Sequence, residues 1–232
     1  FRKRLEDPSR QMMGASQAEW LAKGLKASVK AGQTWQVLGN EVVMARLGVP
    51  DIRANVAPDV LDAALAKLPA SGTARINRMA RMTPLGLPYG LDMWDGYPAE
   101  RQRLYASFEA ARANVVVLSG DSHAFWANEL YDAPEGGRLA AVEFGATGIT
   151  SPGAGDALPG IPVGEVFAKA NREVVYSDQA AKGFVRLTLT HTALRADMVA
   201  VSTILEKTFT TQVLKSFTAT PGKEGVSRLK AV

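Results

Sequence analysis

The spacing of apolar residues changes partway along this chain, and that change restricts the fold more than any other feature. Over residues 17–30 the apolar positions Trp20, Leu21, Leu25 and Val29 recur at helical spacing, with Ser16 three residues before Glu19 placed to cap the start. A second helix is expected over residues 57–68, where Val60, Leu61, Ala64, Leu65 and Leu68 share one face between Pro58 and Pro69. A third follows over residues 99–113, with Leu104, Phe108 and Ala111 on its apolar face and Asn114 at its exit. Two short apolar runs, residues 35–38 and 115–119, read as buried strands, and residues 42–47 begin a helix or a loop. Beyond Ser119 the pattern becomes short alternating runs at 139–144, 174–176, 184–190 and 194–203, which predict β-strands joined by a Gly- and Pro-rich stretch over 148–162. A helix and strand portion followed by a strand portion predicts an α+β fold with one sheet stacked on another.

Residues 83–98 contain Pro84, Gly86, Pro88, Gly90, Gly96 and Pro98, too many breakers for regular structure. A long surface loop is expected there, of the kind that lines sites, which makes Trp94, Asp95 and Tyr97 candidates for a substrate pocket. The plainer alternative is that Asp95 caps the following turn and Tyr97 packs.

With 232 residues, 47% of them hydrophobic, the chain can bury a sizeable core as one large domain or two small ones. Its longest apolar runs are far shorter than the roughly 20 residues of a membrane helix, so no membrane span is expected. There is no Cys, which excludes disulfides, thiolate catalysis and Cys-type zinc sites and restricts any metal to oxygen and imidazole ligands. The net charge of +4 favours anionic partners, but Lys and Arg are scattered apart from a small cluster at residues 1–4. That distribution argues against a nucleic-acid reader and suits a small anionic substrate. The chain opens on Phe1 with no signal-peptide pattern, so a trimmed, processed or partial product is expected.

The segment NVVVLSGDSHAFWANEL, residues 114–130, carries the chemistry. A fully apolar strand ends at Gly120, and directly beyond it sit Asp121 and His123. Side chains two apart in an extended segment share a face, so a carboxylate and an imidazole can converge on one ion or on two adjacent ones. A hard cation takes the Asp oxygen, and a transition metal takes the His nitrogen. On pattern alone an Asp-x-His pair is also an ordinary hydrogen-bonded turn.

The string LSGDSHAFWANEL resembles the (V/L)-(S/T)-G-D-x-H-x-x-W-A signature of PhoD-like alkaline phosphatases. Four further strings are similar to elements of that family, in its order: RQMMGASQAEWL from Arg10, WQVLGNEV from Trp35, MWDGYPAERQRL from Met93 and VEFGATGITSPG from Val142. The resemblance implies a metallophosphoesterase-like fold of stacked mixed β-sheets flanked by helices, of which this chain is the C-terminal half. It also implies a two-metal centre, with Asp121 on a Ca²⁺-like site and His123 on an Fe³⁺-like site, both counted as catalytic. The family's remaining ligands come from a region N-terminal to Arg10, so a complementary N-terminal chain is an expected partner. Asn40 falls in a different element, where a structural role is expected. Two cations about 3.5 to 4 Å apart would polarise a phosphate ester and activate a bridging water. Family members are usually exported, implying a periplasmic or extracellular location.

Other residues carry plainer readings. Trp126 reads as a packing anchor ahead of a substrate platform, Glu143 as a paired structural carboxylate, and His191 as a hydrogen-bonded histidine away from any carboxylate. The rival chemistry is a serine esterase of SGNH type with Ser122 of the G-D-S string as nucleophile. The non-enzymatic alternative is a half-domain that acts only with its complementary chain.

Overall fold

The computed structural model describes residues 1–232 apart from the side chain of Arg75. In chain order its elements are α1 (Arg2–Leu5), α2 (Ala15–Lys30), β1 (Gln36–Gly39), α3 (Ile52–Asn55), α4 (Pro58–Leu65), α5 (Ala70–Met82), α6 (Pro98–Ala111), β2 (Val115–Ser119), β3 (Phe125–Tyr131), β4 (Leu139–Gly145), α7 (Ala154–Ala157), α8 (Val163–Ala170), β5 (Val174–Asp178), β6 (Gly183–Leu189), β7 (Leu194–Val201), β8 (Thr211–Ala219) and β9 (Lys230–Ala231). No helix among the described residues is long and apolar enough to cross a membrane.

Two sheets form, as the change in spacing predicts. The first has the order β1-β2-β4-β3-β5, with β1, β2 and β4 parallel and β3 antiparallel to both its neighbours. The second, β6-β7-β8-β9, is antiparallel throughout its described pairings. Alternation along β2 sorts its side chains between two cores. Val115 and Val117 pack with α6, α8 and the other helices, whereas Val116 joins Phe125, Val142 and Phe144 against Leu194, Met198 and Phe217 of the second sheet. The result is three layers: helices, first sheet, second sheet.

Several elements differ from the sequence reading. Helix α2 begins at Ala15 with Gly14 at its N-cap, so Ser16 lies inside the first turn and makes no cap bond. Trp20 lies off its packed face and is 70% exposed, leaving Leu25 as the buried anchor. Residues 42–47 take the loop of the two forms expected, but a buried one, with Val43, Met44, Ala45 and Leu47 inside. The stretch 83–98 is not a single surface loop, because Trp94–Gly96 form a buried 3-10 turn. A Cβ at Gly96 would sit 1.9 Å from the Leu91 carbonyl oxygen, which only glycine permits. Helices α5 and α8 and strands β3, β8 and β9 are additional to the elements expected.

Candidate active site

The parallel strand β2 sets the site. Past Ser119 the chain leaves the sheet at Gly120, whose N–H donates to the Glu41 carbonyl at 2.9 Å. The next residues are not extended, as the shared-face expectation supposed. Asp121 and His123 both adopt left-handed backbone, with φ of 58° and 56°. Among the described non-glycine residues only Arg112 (φ 52°) does the same, and it closes helix α6 in the usual left-handed cap position. The bends bring Asp121 and His123 to the wall of one cavity of about 430 Å³.

His123 is held at two points. Its Nδ1 lies 2.8 Å from the Pro152 carbonyl oxygen, so Nδ1 carries the proton and Nε2 is left as the acceptor. Its own carbonyl accepts from the Thr147 hydroxyl at 3.1 Å. A Cβ at position 153 would come 2.8 Å from that carbonyl oxygen, so the approach of the Pro152–Gly153 turn depends on glycine. A ring oriented through one nitrogen toward a backbone carbonyl is the usual arrangement of a metal-binding histidine.

Ser122 between them accepts from the Trp126 indole N–H at 2.8 Å. No histidine ring bonds its hydroxyl, and His191 sits instead beside the Thr34 hydroxyl, 3.2 Å from Nδ1. The serine-esterase constellation is therefore not assembled among the described residues. Trp126 is both anchor and cavity wall: it is buried, and it meets Phe167 edge-on at 5.3 Å.

The other pocket candidates sit away from the cavity wall. Trp94 donates its indole N–H to Asn40 Oδ1 at 3.1 Å, while the Asn40 amide donates to the Val42 carbonyl. The buried Asp95 accepts from Leu47 N–H at 2.7 Å and from Arg101 at 2.8 Å. Tyr97 lies beneath the Arg10 guanidinium, 5.0 Å from the ring centroid.

Those contacts belong to a larger arrangement. Five consecutive backbone N–H groups, Met44 to Gly48, donate to four side chains distant in the sequence. Met44 and Ala45 reach Glu143 at 2.7 and 3.1 Å, Arg46 reaches Glu173 at 2.6 Å, Leu47 reaches Asp95, and Gly48 reaches Asn171 at 2.6 Å. A loop outside any strand, bridged to Pro88 at Gly48, thus has its donors satisfied by acceptors that substitute for a ladder. Glu143 also accepts from Ser119 Oγ at 2.9 Å and Asn128 Nδ2 at 2.8 Å, tying this loop to the end of β2. It is hydrogen-bonded, not ion-paired as the sequence suggested, and burial pushes its carboxyl above the ordinary Glu range. Val42, Val43 and Leu47 from the loop line the same cavity as Asp121 and His123.

The donor chemistry of Asp121 and His123 fits a metal, a carboxylate beside an imidazole with one nitrogen already pinned. Among the described residues no three His, Asp or Glu side chains gather, so these two do not close a coordination shell by themselves.

Layered sheets with a strand tip opening on a cavity define an α+β protein with a candidate site at the strand ends. More narrowly, the chain belongs to the PhoD-like phosphatase family, whose model matches residues 1–198. It is 26% identical over 228 residues to alkaline phosphatase D of Bacillus subtilis (strain 168), covering 97% of this chain and 33% of that protein. A solved structure of PhoD superposes with a TM-score of 0.68 at 23% identity, over 99% of this chain and 37% of the other. The chain therefore spans about a third of the length of these relatives.

Proposed function

We propose that these residues form the C-terminal part of one catalytic domain of a metal-dependent phosphoesterase of the alkaline phosphatase D type, acting on phosphate mono- or diesters. The observation that carries the reading is the paired left-handed backbone at Asp121 and His123. Each such residue costs on the order of 1–3 kcal/mol and persists where the surroundings over-determine it, most often at functional sites.

When bound, a two-metal centre, Fe³⁺ and Ca²⁺ by resemblance, supplies polarisation of the phosphoryl oxygens and acidification of water. The share of this chain is narrower. Asp121 offers hard oxygens suited to Ca²⁺, and His123 offers Nε2 suited to iron. The Pro152 carbonyl keeps the proton on Nδ1 and fixes the ring plane. The Ser122 hydroxyl accepts from the Trp126 indole N–H, and no histidine ring among the described residues is bonded to it as a base. Further ligands are proposed to come from the part of the relatives' length that this chain does not span, acting as its partner, and an exported location follows the family resemblance.

In the full-length protein, His123→Ala is expected to lower phosphate-ester hydrolysis by at least about 10²-fold. Bound metal, measured by plasma mass spectrometry, should fall with it. Full hydrolysis by that variant would overturn the assignment.

A further inference from the structure

The cavity beside Asp121 and His123 has two kinds of wall. One is the turn of Gly120, Asp121, Ser122 and His123. The other is formed by aliphatic and aromatic side chains, among them Leu47, Leu68, Ile76, Met79, Leu158 and Phe167. These come from separate elements: the carboxylate-bound loop, the α4–α5 connection, α5, the stretch after α7, and α8. Its other polar side chains are already committed or face packing. Ser122 takes the Trp126 indole, Gln179 donates to Ser177 Oγ at 2.7 Å, and the Tyr89 ring packs edge-on to Phe167 at 5.0 Å. No lysine or arginine among the described side chains lines it.

A cavity of about 430 Å³ falls in the size range of small-molecule sites. It also far exceeds the voids that packing leaves in a core. Apolar cavities are poor hosts for water, which needs two to four polar partners, and they take apolar ligands instead. The loop wall is preformed, since its backbone donors are bound to Glu143, Glu173, Asp95 and Asn171.

We propose that this cavity binds the hydrocarbon portion of an amphiphilic phosphate ester, with the phosphate at Asp121 and His123 and an alkyl or acyl chain along Ile76, Met79 and Phe167. The assignment rests on the phosphoesterase reading for which end of the ligand lies at the Asp–His pair. It adds that selectivity comes from the apolar arm. Each methylene transferred from water into such a cavity tightens binding roughly threefold to fourfold until the cavity is filled.

The test uses the full-length, metal-replete protein and a series of n-alkylphosphonates from ethyl to decyl, which cannot be hydrolysed, with dissociation constants from calorimetry. A steep fall in Kd with chain length, levelling once the cavity is full, supports the proposal, as does a binding heat capacity that grows more negative along the series. The variant Met79→Trp, which fills part of the cavity from a half-buried position, is expected to bring the levelling to a shorter chain. A Kd independent of chain length overturns the proposal. A flat series together with loss of hydrolysis in His123→Ala overturns the cavity assignment and leaves the phosphoesterase reading standing. A steep series with full hydrolysis by His123→Ala does the reverse. Turnover of a soluble decyl phosphate ester, compared with a lysophosphatidate of equal chain length in phosphatidylcholine vesicles, then separates an alcohol ester from a lipid. Preference for either one supports the proposal and names the source.

Discussion

Two irregular segments meet at the same cavity and are held there by opposite means. In the loop Met44–Gly48 the backbone is passive: its N–H groups are taken up by side chains of distant residues, and its own side chains Met44, Ala45 and Leu47 are buried. In the turn Gly120–Ala124 the backbone is strained, and the Asp121 carboxylate is exposed and accepts no hydrogen bond from the described residues. The buried acids around the loop are consumed by backbone donors, whereas the exposed acid on left-handed backbone keeps its oxygens free of bonds from the described residues. Acidity by itself does not separate the two kinds; hydrogen-bond partners and backbone conformation do.

That contrast is easiest to break at Glu143, the residue common to both segments. In the full-length protein Glu143→Ala leaves buried donors on Met44, Ala45, Ser119 and Asn128 without their acceptor, and a loss of about 3–5 kcal/mol is expected by urea denaturation. A loss below about 1 kcal/mol would mean that the loop is held by its apolar side chains alone. Asp121→Gly tests the other segment with the opposite sign. Removing Cβ from a left-handed position should stabilise the protein by roughly 1 kcal/mol while hydrolysis is lost. Stabilisation without loss of activity would remove Asp121 from the site.

A smaller effect distinguishes buried acids from each other by pH. The folded-state pKa of Glu143 lies above the ordinary value of 4.5, so the folded protein binds the proton more tightly than the unfolded one. Its contribution is therefore greatest in acid and declines as pH rises from about 4.5 through the folded-state value. Asp197 of β7 is the converse, lowered first by the Ser216 hydroxyl and also by Arg186 and Arg195, so its contribution is lost as pH falls below the usual 3.8. Stability curves against pH for Glu143→Gln and Asp197→Asn should flatten on opposite sides of the acid range. The smallest effect belongs to Trp20→Lys, expected within about 0.5 kcal/mol by thermal melt because the side chain is 70% exposed.

Much of this was legible in the chain itself. Helices at α2, α4 and α6 and strands at β1, β2 and β4 to β7 follow from spacing, because each buries a continuous face against a neighbour. Strand β3 was not, since Asn128 and Glu129 interrupt its apolar pattern; their partners Glu143 and Arg228 make a polar residue tolerable in a fully buried strand. Helix α5 carries Gly72, Thr73 and Asn77 and starts at Pro69 without a side-chain cap, so propensity speaks against it. At the site, Asp121 and His123 stand out in the sequence through their place after an apolar strand. The acceptors of the Met44–Gly48 loop could not, because they lie 48 to 127 positions away along the chain. Trp94 and Asp95, read as pocket candidates from a breaker-rich stretch, brace that loop from behind.

Because Val115 and Val117 of β2 face the helical layer while Val116 faces the second sheet, the strand is clamped from both sides. Any slackening of either layer reaches the turn that follows through one short rod of chain. The aim of Asp121 and His123 is thus a joint property of two hydrophobic cores, and changes remote from the turn in either can detune it without altering a single donor.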